Sequence, residues 1–408
     1  MRAIAEWREF DSNQRSALIA SFLGWTLDAF DFFLMVFMLG AIAKEFGSDI
    51  KSVAFALTLT LAARPLGALV FGLLADRFGR RPVLMIDILL FSILEFASAF
   101  APSLIALLVL RTAFGFAMGG EWGLGASLTM ETIPPKARGI ASGLLQTGYP
   151  FGYLLASVVY GLLFDRIGWR GMFMVGVLPA LLVLFIRRNV KESPAWHSMR
   201  AQPRKSLAGV LRQRWPLFIY VVVLMTAFNL FSHGTQDLYP TFLQVQHKLA
   251  THTVSLIAII GNVGAITGGL LFGILSQRIG RRKAIVFGAL IALPIIPLWA
   301  FSATPVLLGV GAFLMQVAVQ GAWGVVPVHL NELSPDEVRG TFPGFAYQLG
   351  NLLASGNATI QAGFAANHGG NYALALAVIA AIAGVVIAAL TYFGPERHGV
   401  QFGGMTVS

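Results

Sequence analysis

Gly72-Leu-Leu-Ala-Asp76-Arg77-Phe-Gly79-Arg80-Arg81 returns 201 residues later as Gly273-Ile-Leu-Ser-Gln277-Arg278-Ile-Gly280-Arg281-Arg282. The same offset pairs Trp122 and Gly123 with Trp323 and Gly324, and Glu131, Pro134, Arg138 and Gly139 with Glu332, Pro335, Arg339 and Gly340. One constant offset across all of these positions marks a duplicated chain. Around each loop the sequence reads as apolar runs between charged or Pro/Gly-rich breaks: near 16–40, 52–74, 82–101, 105–129, 139–162 and 169–187, then 216–239, 253–276, 284–303, 305–330, 341–365 and 371–393. Each run has about the 17–25 residues that a bilayer-spanning helix needs, or slightly more if tilted.

Composition agrees with that spacing. Of 408 residues, 56% are hydrophobic and 12% charged, against roughly 25% charged in a soluble domain. The formal charge of +10 raises the question of nucleic-acid binding, but the placement of the charges excludes it. Most of the 29 Lys and Arg fall in the two ends and in alternate loops, the asymmetry of cytoplasmic loops, which puts both termini in the cytoplasm. The expected fold is therefore an all-α membrane protein of twelve transmembrane helices in two six-helix bundles, residues 1–187 and 216–408. A polar connector, residues 188–215, carries the helix breakers Pro194 and Pro203. Two six-span repeats enclosing a midplane site form the architecture of a rocking-bundle transporter. With no cysteine, disulfides and thiolate metal sites are excluded. Glu6, Glu9 and Asp11 ahead of the first apolar run do not fit a signal peptide, so the first helix is expected to stay attached.

The 72–81 loop resembles, at every defined position, the signature G-x-x-x-D-R-x-G-R-R of the major facilitator superfamily. The second copy departs from it at Gln277. Gly72, Asp76, Arg77, Gly79 and Arg80 are the expected gate, a cytoplasmic latch at the helix ends, where charge is cheaper than at bilayer depth.

Charges inside spans cost at least ~2.5–3.5 kcal/mol each, so each needs a partner or a task. Asp87 and Glu131 lie near cytoplasmic ends, and Glu131 recurs as Glu332; both read as framework. Asp28, Asp31, Arg64 and Glu121 instead have uncharged counterparts in Asn229, Ser232, Ala265 and Ala322. That asymmetry favours function over helix-helix packing.

The seventh span holds Asn229-Leu-Phe-Ser232-His233-Gly-Thr235-Gln236-Asp237-Leu-Tyr239-Pro240-Thr241. Spacing of three to four residues places Asn229, His233 and Gln236 or Asp237 on one helix face. A polar face at bilayer depth requires a wet cavity or bundle interior, and a His beside a carboxylate can hold and release a proton near neutral pH. The run resembles N-x-x-[S/T]-H-x-[S/T]-Q-D-x-x-x-T of fungal lactate/pyruvate-proton symporters at Asn229, Ser232, His233, Thr235, Gln236, Asp237 and Thr241. Gly24-Trp25-x-x-Asp28-x-x-Asp31-Phe32 and Gly119-Gly120-Glu121-Trp122-Gly123 resemble the wider sialate-proton symporter family. The resemblance implies proton-coupled symport of a small monocarboxylate across the cytoplasmic (inner) membrane, with His233 and Asp237 engaged in coupling and carboxylate binding.

Within that reading, Arg64, halfway along the second span, is the guanidinium expected to grip a carboxylate. Arg111 sits in R-x-x-x-G, which resembles a structural motif of the superfamily. The expected substrate-binding set is Arg64, Asn229, His233, Gln236, Tyr347 and Gln348, with Asn351 on the same eleventh span. The proton-coupling set is Asp28, Asp31, Glu121 and Asp237. The partners are a small carboxylate, a proton and the lipid bilayer, with no nucleic acid, no metal, no cofactor beyond the proton gradient, and a monomeric state. Competing readings are symport of another organic anion (sialic acid, a sugar acid or a dicarboxylate) and a non-transporting membrane sensor. An enzyme is disfavoured by the lack of a phosphate loop, metal cluster or nucleophile elbow.

Overall fold

The computed structural model describes residues 10–200 and 207–402, which are helical almost throughout. The first half comprises α1 (Ser12–Glu45), α2 (Ile50–Phe78), α3 (Arg80–Ser98), α4 (Leu104–Met118), α5 (Glu121–Thr132), α6 (Arg138–Gln146), α7 (Gly148–Val175) and α8 (Ala180–Asn189). A short helix, α9 (Pro194–Arg200), follows, and residues 201–206 of the expected connector lie outside the described residues. The second half comprises α10 (Leu207–Gln236), α11 (Thr251–Ile279), α12 (Arg281–Ala300), α13 (Pro305–Leu333), α14 (Phe342–Ala354), α15 (Asn357–Asn367) and α16 (Tyr372–Phe393). Helix α1 begins at a capping box: Asp11 accepts from the Gln14 amide at 2.8 Å, while Gln14 Oε1 accepts from the Asp11 amide at 3.0 Å.

Among the described residues, nine helical stretches are long and apolar enough to cross a membrane. The shortfall from the twelve expected passages has local causes. Helix α3 is only 19 residues long and carries Arg80, Arg81, Asp87 and Glu95. The fifth and sixth runs form one stretch, Pro135–Asn189, interrupted where Gly168 adopts φ 62° and ψ −176°, a conformation that glycine alone enters cheaply. The eleventh run breaks into α14 and α15 at Ser355-Gly356. The seventh ends earlier than expected, so Asp237 stands just past the last turn of α10 rather than within it.

Within the first half, α1 packs on α5 and α7, and α2 runs along α4; in the second, α11 runs along α13, and α12 packs on α13 and α16. The halves meet through α6 against α11 and α13, and α14 against α2 and α5. Glycines set the closest seams, as is usual where lipid removes the hydrophobic drive for helix association. A Cβ at Gly67 would lie 1.8 Å from the Phe116 carbonyl oxygen, and one at Gly268 would lie 2.3 Å from that of Val317. Both members of that contact recur at the 201-residue offset, so the duplicated halves share one backbone packing.

Replacing Gly67 or Gly268 by Leu should lower stability by about 1–3 kcal/mol. Gly161, with open space around its Cβ position, should tolerate Ala. Thermal unfolding in detergent measures the difference.

Candidate functional site

At the ends of α2 and α11 the duplicated loops cross from one half to the other. Asp76 accepts hydrogen bonds from the Gly340 amide at 2.8 Å and the Thr341 hydroxyl at 2.6 Å. Arg80 reaches Asp76 at 3.1 Å and Glu131 at 2.9 Å. The second copy does the same work with an amide: Gln277 accepts from the Gly139 amide at 3.1 Å and from Arg281 at 3.0 Å, while Arg281 pairs with Glu332 at 3.0 Å. Gln277 thus departs from the first copy in charge but occupies the equivalent place. A Cβ on Gly72 would stand 2.6 Å from Thr341 Cα, and one on Gly79, at φ 111°, would meet the Glu192 carboxylate at 2.2 Å. Arg77 lies over the Phe78 ring at 5.2 Å. The Asp76, Gln277 and Gly72 contacts close the seam between the halves on this side.

A cavity of about 530 Å³ opens from the other ends of the same helices. Arg64, Asn229, His233, Gln236, Asp237 and Tyr347, all expected from the sequence, line it. Tyr347 stands among Trp25, Trp122 and Trp323, with ring centroids 6.5, 4.7 and 5.7 Å away. Trp122 and Trp323 are equivalent under the 201-residue offset, so Tyr347 sits near the pseudo-symmetry axis. Gln348, one helical step away from Tyr347, is fully buried outside the lining set; Asn351, one turn on, takes its place. Asn351 donates to Gln348 at 3.4 Å.

The polar wall from α10 is continued by two residues that the sequence reading passed over. Gln236 Nε2 donates to Gln316 Oε1 at 3.0 Å, and Gln320 Nε2 donates to Ser232 Oγ at 3.2 Å. Their signal was present: Gln316 and Gln320 are one turn apart in an apolar helix, and their first-half counterparts are Gly115 and Gly119. His233 Nδ1 lies 3.2 Å from Asp237 Oδ1, and both side chains are about one-third exposed to the cavity.

Of the first-half charges only Arg64 is among the described lining residues. Arg64 Nη2 donates to Asp28 Oδ1 at 3.0 Å, with the pair 4% and 1% exposed. Arg64 also stacks over Phe32 at 5.5 Å, and Pro65 removes the amide that would have bonded the carbonyl of cavity-lining Leu61. Deeper still, Arg111 pairs with Glu95. Asp31, Asp87 and Glu121 are fully buried, and neither oxygen of any of the three has a hydrogen-bond partner among the described residues. Gly24 makes room for Glu121, since a Cβ there would fall 2.2 Å from Oε1. Asp28, Asp31 and Glu121 therefore do not line the cavity. Only Asp28 is tied to it, through Arg64.

The chain belongs to the Major Facilitator Superfamily, whose family model matches residues 21–354 and 238–405. It is a multi-pass membrane transporter of that superfamily, not an enzyme. It is 31% identical over 353 residues to the sialic acid transporter NanX of Escherichia coli (strain K12), covering 85% of this chain and 86% of that one. It is 29% identical over 389 residues to a carboxylic acid transporter protein homolog of Saccharomyces cerevisiae, covering 88% of this chain. The chain spans 62% of the yeast protein's length. In fold it matches the proton:xylose symporter XylE bound to 6-bromo-6-deoxy-D-glucose, with a TM-score of 0.80 and 21% identity over 96% of this chain and 98% of that one.

Removing one member of a buried ion pair strands the other. Arg64→Gln should therefore destabilise the protein by about 3–5 kcal/mol, and Asp28→Asn added to it should recover most of the loss. The double-mutant cycle is measured by thermal unfolding in detergent.

Proposed function

We propose that this protein carries a small monocarboxylate of the lactate or pyruvate class together with a proton across the cytoplasmic membrane. It does so by alternating access between two six-helix bundles, residues 1–187 and 216–408, joined by the 188–215 connector. The chain crosses the bilayer twelve times, with both termini cytoplasmic, and works as a monomer with no cofactor. One observation carries the reading: Arg64 is the only arginine or lysine among the described cavity-lining residues, and Asp28 already holds it. A carboxylate entering the cavity competes with Asp28 for the same guanidinium. Protonating Asp28 frees Arg64 to bind the substrate, so proton and anion load together and the added charge is zero. Neutral loading lowers the cost of closing the cavity into a low-dielectric interior.

The remaining groups fit around that exchange. The buried Trp25 Nε1 and Arg64 Nε have no partner among the described residues and belong to side chains lining the cavity; both are donors for a carboxylate. Asn229, His233, Gln236 and Tyr347 offer hydrogen bonds to the substrate's second oxygen function. The His233–Asp237 pair faces the opening and takes a proton from the entry side. Asp31 and Glu121 are buried acceptors for further protons. A single permanent cation favours a monocarboxylate over a dicarboxylate. The latch formed by Gly72, Asp76, Arg77, Gly79 and Arg80 must part for release on the opposite side, with the proton gradient biasing the two populations.

A larger organic anion such as sialic acid is the second reading. It is favoured by the 530 Å³ volume, by the row of amides Asn229, Gln236, Gln316, Gln320 and Asn351, and by the similarity to the bacterial sialic acid transporter. Competition of labelled lactate by acetate, pyruvate, malate and sialate separates the two. Inhibition by pyruvate but not by sialate is expected.

Asp28→Asn tests the coupling. In proteoliposomes it should keep counterflow of labelled lactate within about threefold of the parent, because Arg64 stays available, yet lose accumulation under an imposed pH gradient. Accumulation equal to the parent's would remove Asp28 from the coupling path.

A further inference from the structure

The duplicated halves each bring a buried arginine to the latch side of the molecule, Arg138 at the start of α6 and Arg339 just before α14, equivalent under the 201-residue offset. Both are nearly inaccessible, at 3% and 1% exposed. Arg138 uses its Nε on the Met130 carbonyl at 2.8 Å, and no carboxylate pairs with it among the described residues. Arg339 pairs with Asp336, but its Nη1 has no partner among the described residues. A guanidinium sunk this far from water needs compensation.

That compensation comes from the end of the chain. Beyond α16 the backbone turns back under the seam, and Phe402, itself 2% exposed, places its ring 3.6 Å from the Arg138 guanidinium carbon and 3.8 Å from that of Arg339. Both guanidiniums therefore have cation–π attraction to the one ring. The backbone reinforces the position. Arg138 Nη1 donates to the Val400 carbonyl at 2.6 Å, and the Gly399 amide donates to Glu332 at 3.1 Å. The tail belongs covalently to the second half, yet its tightest polar contact is to an arginine of the first. Any motion that parts the halves on this side must pull Phe402 and Val400 away from Arg138.

We propose that the segment Gly399–Phe402 is a strap across the two halves and that Phe402, Arg138 and Arg339 are further gate residues of the transport cycle. The strap holds the latch side shut and sets the population of the state in which the 530 Å³ cavity is open. It acts alongside the Asp76 and Gln277 bridges but is distinct from them, since it uses a ring and a backbone carbonyl rather than the duplicated loop. The inference rests on the alternating-access reading but not on the identity of the solute.

The natural absence of cysteine makes single-cysteine labelling a clean readout. Ser142→Cys reports on the seam, because Ser142 is fully buried and donates to the Gly324 carbonyl at 2.7 Å across the halves. Ser355→Cys reports on the cavity, which it lines while exposed. In each background the full chain is reconstituted without solute or pH gradient, with Phe402→Ala, Phe402→Leu and Phe402→Trp compared with the parent. Loss of the two cation–π contacts should speed labelling at Ser142→Cys roughly fivefold and slow it at Ser355→Cys, with Leu close to Ala and Trp close to the parent. A merely loosened fold would speed both sites. Parental rates at both sites in Phe402→Leu, or a rise at both, would overturn the proposal. If Phe402→Ala does not accumulate in membranes, the Leu and Trp pair decides it. Because no solute is present, a wrong substrate assignment leaves this result unaffected.

Discussion

A charge at bilayer depth must meet an opposite charge or a proton, and the first half of this chain is organised by that requirement. Two arginines, Arg64 and Arg111, are matched by Asp28 and Glu95. Asp31, Asp87 and Glu121 remain, fully buried and without hydrogen-bond partners among the described residues. As carboxylates they would each carry a desolvation cost of several kcal/mol. This half thus holds three unpaired buried carboxyl groups next to two ion pairs. Among the described residues the second half has no such surplus around the cavity; it presents amides, hydroxyls, His233 and Asp237. One half buries carboxyl groups and the other lines the cavity with neutral polar groups, with Arg64, held by Asp28, on the cavity wall.

The seam between the halves follows a different rule. Asp76 and Gln277 perform the same backbone-capping task at Gly340 and Gly139, although one is charged and the other is not. What the duplication preserves is the acceptor oxygen and the glycine opposite it, because a side chain there would collide with the neighbouring helix. The charge difference then makes the two bridges unequal. The Asp76 bridge is charge-assisted and shared with Arg80, while the Gln277 bridge is neutral and depends on Arg281 and Glu332 for its electrostatics. Both are closed in the same conformation, which is why the cavity opens only toward the far ends of the helices.

Much of this was legible in the residues. The 201-residue offset gave the duplicated scaffold, and the apolar runs gave the helices, because both depend on local composition. The mismatches between the halves singled out Asp28, Asp31, Arg64 and Glu121, and all four are buried in one region. Their division of labour was not legible: spacing along α1 and α5 cannot say which face meets the cavity, so Asp28, Asp31 and Glu121 read alike until packing placed them behind Arg64. Gln348 could not be told from Tyr347 for the same reason, one helical step being enough to turn a side chain from the cavity into the bundle. Gln316 and Gln320 were visible as mismatches with Gly115 and Gly119 but carry no charge, and attention to charge alone passed over them. The strap at Phe402 had no local signal, since its partners Arg138 and Arg339 lie far away in sequence.

Proton uptake on addition of carboxylate to de-energised proteoliposomes, followed with an enclosed pH dye and a membrane-potential dye together, tests the central exchange most directly. If a proton on Asp28 releases Arg64 for the anion, about one proton enters per carboxylate and the membrane potential stays flat. Carboxylate entry with no acidification of the lumen, or with a growing negative potential inside, would contradict the account.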